Sequence, residues 1–352
     1  MKFRAHAPGK LVLLGEYCVL EGAPAIVMAA NRRALAEVET RADTVTDVCE
    51  LLAPDIKPQP ARFHFDGNGA PRWHDAADAT RFGLVSAILS ALHERGGLPD
   101  TVARIRLDSS AFFDATDGVS SKLGLGSSAA VATSLTAALI AASGHPQLLE
   151  DRSLCLRFVL DVHRKFQGGR GSGLDLAASL YGGEILFRPA AGCPSVNALR
   201  WPEKLHRIYV WSGHSASTKD FLAHLDEWRA GAARSYSTRM QALGAAAEAG
   251  ADAARAGDAG RLLDALANGA EELRKLGTVS KIPIFSPEHE SISALVAAAG
   301  GVYKPCGAGG GDVGLAVVAE QADPDRVCAA LDAGGYRVVD LDTDYRGLVV
   351  DS

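Results

Sequence analysis

Leu123-Gly124-Leu125-Gly126-Ser127-Ser128-Ala129-Ala130 is the stretch on which the fold turns. Two glycines and two hydroxyls open directly onto Ala129 to Ser143, an unbroken run of small, apolar and hydroxylated residues. A run with no charged face predicts a helix buried on all sides. Glycines let a backbone approach an anion closely, and the free N–H groups of a first helical turn, with the positive end of the helix dipole, then face its oxygens. Ser127 and Ser128 suit either a helix cap or a ligand for phosphate-bound Mg²⁺. The same eight residues also suit a plain loop and a capped helix, so the rest of the chain has to decide.

Working outward, Ala7-Pro8-Gly9-Lys10-Leu11-Val12-Leu13-Leu14-Gly15-Glu16-Tyr17 predicts a turn, a short buried strand with a lysine at its mouth, and a closing glycine. Residues 25–29 and 34–40 predict two further strands, and 53–81, rich in Pro, Asp, Gly and His, a long excursion or polar hairpin. Phe82 to Arg95 carries apolar residues at helical spacing, and Val102 to Leu107 alternates as a strand. Leu154 to Phe166 predicts a helix that ends in the turn Gln167-Gly168-Gly169-Arg170-Gly171-Ser172-Gly173, ahead of Leu174-Asp175. The prolines between Cys193 and Glu203 place a boundary, dividing the chain into an N-terminal domain over 1–200 and a C-terminal one over 201–352. Beyond it come a strand at 207–212, Ala-rich helices over 221–276 with breaks near Gly250 and Gly257, a glycine loop at 306–312, and strands at 313–319, 336–341 and 347–350.

Composition narrows the function. With 352 residues, 47% hydrophobic and 22% charged, the chain has ample material for real cores. A formal charge of −6 argues against a nucleic-acid partner, because backbone phosphates need a basic face. The longest apolar run is too short and too hydroxylated for a bilayer, and the N-terminus lacks a leader pattern, so the expectation is a cytoplasmic protein without a membrane partner, a monomer or homodimer. Cys18, Cys49, Cys155, Cys193, Cys306 and Cys328 form no C-x-x-C pair, which predicts buried reduced thiols rather than zinc or disulfides. Three glycine-rich turns, near positions 9, 125 and 309, point to one anion site. Neither a Walker loop nor a Rossmann fingerprint is present.

Those three turns carry a family resemblance. Pro8-Gly9-Lys10 through Gly15-Glu16, then Gly124-Leu125-Gly126-Ser127-Ser128, then Gly307-Ala308-Gly309-Gly310-Gly311-Asp312 resemble, in order and separation, the three motifs of the GHMP superfamily of small-molecule kinases. That family includes galactokinase, homoserine kinase, mevalonate kinase and phosphomevalonate kinase. The resemblance covers most of the chain outside 53–81 and implies an α+β fold in two parts, a ribosomal-protein-S5-like N-terminal domain and a ferredoxin-like C-terminal domain. It also implies ATP and Mg²⁺. Gly124, Leu125, Gly126, Ser127, Ser128 and Ala129 would then hold the nucleotide and Ser127 the metal, with Lys10 and Asp175 catalytic. Arg170, Ser172, Ser217, Thr218, Gly309 and Gly310 would bind the acceptor.

Within the superfamily the chain is most similar to the phosphomevalonate kinases, through Lys304 to Asp312, Gln167 to Asp175 and Trp211 to Thr218. Mevalonate kinases usually carry glycine where Asp312 stands. They also carry a metal-holding glutamate eleven residues before the catalytic aspartate, where this chain has Arg164. Arg164, Lys165, Arg170 and Lys219 suit an acceptor that already bears a phosphate, because guanidinium forks and ammonium charges pair with its oxygens. Idle surface charge is the competing reading, stronger for Lys165 than for Arg170. Glu16 reads as a partner of Lys10 or an exposed strand-end charge, and His163 as a helix-face histidine. The resemblance implies ATP-dependent conversion of 5-phosphomevalonate to its 5-diphosphate in isoprenoid synthesis. A mevalonate kinase, an ATP-dependent diphosphomevalonate decarboxylase and a non-catalytic homologue stay open.

Overall fold

The computed structural model describes residues 1–351 apart from 42–46, 100–101, 117–118 and 170. Its frame is a long antiparallel pair, β1 (Lys2–Leu14) and β2 (Ala25–Thr40). The turn expected at Pro8-Gly9 is instead a register shift inside a continuous β1, and the two strands expected at 25–29 and 34–40 are one. A side chain on Gly9 would run into the Leu125 carbonyl and the Phe112 ring. That glycine therefore serves close approach of strand to loop rather than reversal of the chain.

Around this pair are β3 (Cys49–Ala53), β4 (Lys57–Phe65), β5 (Pro71–Trp73), β6 (Val102–Asp108), β9 (Glu184–Arg188), β10 (Ser195–Leu199) and the last strand, β15 (Val349–Asp351). The order is β10-β9-β2-β6-β3-β4-β5, with β1 pairing both β2 and β15. The stretch 53–81 thus builds the far edge of the sheet and ends in α1 (Ala76–Arg81). Phe63, Trp73 and Phe82 stack beneath its polar surface, with ring centroids 4.9 and 5.4 Å apart. A small hairpin of β7 (Phe113–Thr116) and β8 (Val119–Lys122) leads into α3 (Ser127–Ala142). As its composition predicts, α3 is buried on nearly every face, against β1 and β2 on one side and α4 (Arg152–Phe166) and α5 (Leu174–Tyr181) on the other. Ala and Ser side chains let those elements approach closely. α2 (Gly83–Glu94) completes this core through Val85, Ile88, Leu89 and Leu92.

The second sheet has the order β12-β13-β11-β14, from β11 (Leu205–Trp211), β12 (Val302–Pro305), β13 (Val313–Ala319) and β14 (Arg337–Val339). With α9 (Pro287–Ala298) before β12 and α10 (Pro324–Ala333) before β14, this is the β-α-β-β-α-β order of a ferredoxin-like unit. Between β11 and α9 come α6 (Thr218–Gly231), α7 (Ala233–Ala256) and α8 (Ala259–Ser280). The break expected at Gly250 does not occur. α7 runs through it, and a side chain there would strike Leu14, so the glycine lets the helix lie on the end of β1. The cysteines are all free, but Cys193 and Cys328 are only half-buried, against the expectation of buried thiols. Among the described residues no helix is long and apolar enough to cross a membrane.

Candidate functional site

The three glycine turns meet. The Lys10 N–H donates to the Leu125 carbonyl at 2.8 Å, tying β1 to the 124–126 loop, while Gly124 lies against the Asp312 carboxyl group. Gly124 and Gly126 both have φ near +75°, which a residue with a Cβ adopts only under strain. Gly126 is the N-cap of α3, and no side chain caps that helix. The Lys10 side chain runs over Gly126, so an ammonium crosses the open end of a helix dipole. Ser127 is buried in the first turn. Ser128 is exposed, and its Oγ lies 3.4 Å from His163 Nε2.

Beside this junction is a cleft of about 820 Å³. Its floor and one wall come from Lys10, Glu16 and Tyr17, then from His163, Arg164, Ser172 and Asp175. Thr218 and Lys219, at the start of α6, face them with Gly307 and Ala308. α5 begins, like α3, at a left-handed glycine with no side-chain cap, Gly173 at φ +85°. Asp175 is therefore not the helix cap; among the described residues its Oδ1 accepts from the adjoining Leu176 N–H alone, at 2.9 Å. Arg164 reaches the Ser172 carbonyl at 3.5 Å. Among the described residues, the side chains of Lys10 and Lys219 have no carboxylate or hydrogen-bond partner.

Glu16 overturns both sequence expectations for it. It is neither exposed nor a partner of Lys10: it is 4% exposed and forms a buried ion pair with Lys304, which also donates to the Pro305 carbonyl at 2.9 Å. Burial works against the Lys304 ammonium, yet the adjoining Glu16 carboxylate leaves it above its ordinary value. Glu16 Oε2 has no hydrogen-bond partner among the described residues. Tyr17, at φ +61°, donates its hydroxyl to the Ala308 carbonyl, joining the first glycine turn to the third.

The structure thus brings Lys10, Ser172, Asp175 and Thr218 onto one cleft and sets the loop from Gly124 to Ala129 at its edge through Lys10. Ser217 stands behind as the cap of α6, accepting from the Asp220 N–H. Gly309 and Gly310 pack against Ile284 and Phe221. Lys165 is exposed, and Arg170 lies outside the described residues. Tyr17, His163 and the apolar rim of Leu20, Phe166 and Leu222 belong to the cleft without any signal in the sequence that marks them. His163 lies on α4 and is buried there.

Comparison with known proteins agrees with this geometry. Residues 83–183 match the family described as GHMP kinases N terminal domain. A phosphomevalonate kinase of Streptomyces sp. (strain CL190) is 31% identical over 351 aligned residues, covering 91% of each chain. Among solved structures, a Lin0012 protein from Listeria innocua superposes with a TM-score of 0.80 over the whole of both chains at 18% identity. The Streptococcus pneumoniae phosphomevalonate kinase, in complex with phosphomevalonate and AMPPNP, gives 0.75 over 97% of this chain and 99% of that one, also at 18% identity. This chain belongs to the GHMP kinases, as a homologue of phosphomevalonate kinase.

Proposed function

We propose that this chain transfers the terminal phosphoryl group of ATP to 5-phosphomevalonate, giving 5-diphosphomevalonate and ADP. The observation that carries the reading is the set of open cations in the cleft: among the described residues the Lys10 and Lys219 side chains have no anionic partner, and Arg164 reaches the Ser172 carbonyl only at the edge of hydrogen-bond distance. Other cations of the chain are answered by carboxylates, as Arg188 is by Glu248 and the largely buried Arg207 by Glu184. Cations left open around a cavity suit a ligand that brings its own negative charge, and a neutral alcohol would leave them unanswered. The relative with 31% identity supports the same acceptor.

Phosphoryl transfer asks a protein for position and for charge opposite the moving group. The open N–H groups at the start of α3 hold the nucleotide phosphates, and Lys10, crossing that helix end, stabilises charge on the transferring group. An oxygen of the acceptor phosphate attacks the terminal phosphorus as the bond to ADP breaks. Asp175, on the same cleft, orients the acceptor or takes the proton of its monoanionic phosphate; the dianion that predominates above about pH 6 carries none. Arg164, Lys219, Thr218 and Ser172 hold the acceptor. Among the described residues no three His, Cys, Asp or Glu side chains gather as a metal cage. Mg²⁺ fits as a partner of the nucleotide phosphates with the buried Ser127 hydroxyl, since it keeps several waters and takes few protein ligands. When bound, it screens charge on the phosphates.

Steady-state kinetics of Lys219→Ala and Arg164→Ala test the acceptor assignment. Each should raise the KM for 5-phosphomevalonate by about 10- to 100-fold, the worth of a charged hydrogen bond, and leave the KM for ATP near its wild-type value. An unchanged acceptor KM in both variants would remove the phosphorylated acceptor from the account.

A further inference from the structure

The third glycine loop ends in a residue that the proposed chemistry leaves unused. Asp312 has φ +60°, a left-handed conformation that glycine adopts freely and a residue with a Cβ adopts at a cost. Its backbone is held on both sides: the N–H donates to the His214 carbonyl at 2.8 Å, and its carbonyl accepts from the Ser212 N–H at 3.1 Å. On one side of the carboxyl group, Oδ1 accepts from the Ala216 N–H at 3.4 Å. On the other, the carboxyl lies on the Cα of Gly124, where any side chain would collide with it. Ser215 Oγ reinforces the same junction by donating to the Lys122 carbonyl at 2.7 Å.

The carboxyl group is therefore wedged between the first glycine of the phosphate loop and the segment 212–216. That segment runs directly into Ser217, the cap of α6, and then into Thr218 and Lys219 on the cleft. Among the described residues no cation pairs with Asp312; Lys10, Lys122 and His214 face it at longer range. Burial pushes its carboxyl up to about 6.

We propose that Asp312 is a positioning residue, the spacer that fixes the acceptor-binding end of α6 relative to the phosphate loop. The inference rests on the reading of the cleft as a nucleotide beside a phosphorylated acceptor. Without the carboxyl group, Ala216 loses its acceptor and Gly124 its abutment, so Lys219 is no longer held over the acceptor phosphate. The phosphate loop keeps its own tie to β1 through Lys10 and Leu125. Nucleotide binding is accordingly spared. Protonation weakens the bond from the Ala216 N–H, so the junction loosens as the pH falls through the carboxyl's titration.

The test compares Asp312→Gly, which suits the left-handed backbone and so folds without strain, with Asp312→Asn, which keeps the shape and the oxygen facing Ala216. The glycine variant should raise the KM for 5-phosphomevalonate about tenfold, while the Kd of AMPPNP, read by titration calorimetry, moves less than about twofold. The asparagine variant should stay within about threefold of wild type at pH 7.5. Between pH 7 and pH 5 the ratio of wild-type to asparagine-variant KM should rise, since only the wild type loses its charge. A glycine variant with wild-type acceptor KM, a loss of AMPPNP affinity as large as the loss in KM, or a pH-independent ratio overturns the positioning role. A wild-type protein that does not phosphorylate 5-phosphomevalonate overturns the acceptor reading and this inference together; an active wild type with an unaffected glycine variant overturns the inference alone.

Discussion

Two lysines stand near the same cleft, and the fold treats them in opposite ways. Lys304 is 1% exposed and answered twice, by the Glu16 carboxylate and the Pro305 carbonyl. Lys10, on β1 of the other sheet, lies across the open end of α3 with no anionic partner among the described residues. A charge neutralised inside the protein holds elements together, here the end of β1 to the end of β12. A charge left open at a cavity wall is available to a ligand. Residue type alone does not separate these roles. Satisfaction does.

The comparison breaks if the open group behaves like the closed one. Lys10→Met and Asp175→Asn should each lower kcat by about 10³- to 10⁴-fold, roughly 4–5 kcal/mol of transition-state stabilisation. Their unfolding free energies should stay within about 0.5 kcal/mol of wild type, because neither removes a satisfied internal bond. A large loss of stability with modest loss of turnover would place Lys10 with the structural charges. Denaturant titration beside steady-state kinetics reads both quantities.

The closed pair should show the reverse. Glu16→Ala strands a buried ammonium and should cost about 3–5 kcal/mol in unfolding free energy, and adding Lys304→Met should recover most of that loss. If the double variant is no more stable than the single one, the pair is not what Glu16 supplies. The Lys219→Ala and Arg164→Ala variants fall between these cases, changing acceptor KM without changing stability.

Asp312 sharpens the contrast at the smallest scale, as a part-buried carboxyl group with no cation paired to it among the described residues. Its folded pKa of about 6 lies above the 3.8 of an ordinary aspartate. The stabilisation belongs to the protonated form, is complete below about pH 4, and is lost as the pH rises through about 6. At pH 8 the ionised group therefore costs stability, on the order of 3 kcal/mol. Asp312→Asn should be more stable than wild type at pH 8, with the advantage gone by pH 4. Thermal unfolding across that range measures it, and an advantage of constant size would contradict the assignment.

What the sequence made legible follows from how local each signal is. The cradle at 124–129 was readable because glycine-hydroxyl spacing and an uncharged helical run are properties of consecutive residues, and the structure has the helix from Ser127. Lys10 and Asp175, given their roles by the family resemblance, lie on one cleft in the structure. Glu16 was misread because its partner is 288 residues away, and nothing in Gly15-Glu16-Tyr17 reports burial. Gly250 was misread for the same reason, since what excludes a side chain there is Leu14. The glycines at 309 and 310, given to the acceptor by their motif, have Ile284 and Phe221 against them, contacts that the motif does not report. Long-range packing decides those positions, and it has no period in the sequence.

The most direct measurement is ³¹P NMR of the purified protein with MgATP and an equimolar mixture of mevalonate and 5-phosphomevalonate. The open cations of the cleft predict new diphosphate resonances, with mevalonate left untouched. Consumption of mevalonate with a new monophosphate ester signal, or release of inorganic phosphate in place of a new diphosphate, would contradict the account and return Arg164 and Lys219 to the surface charges.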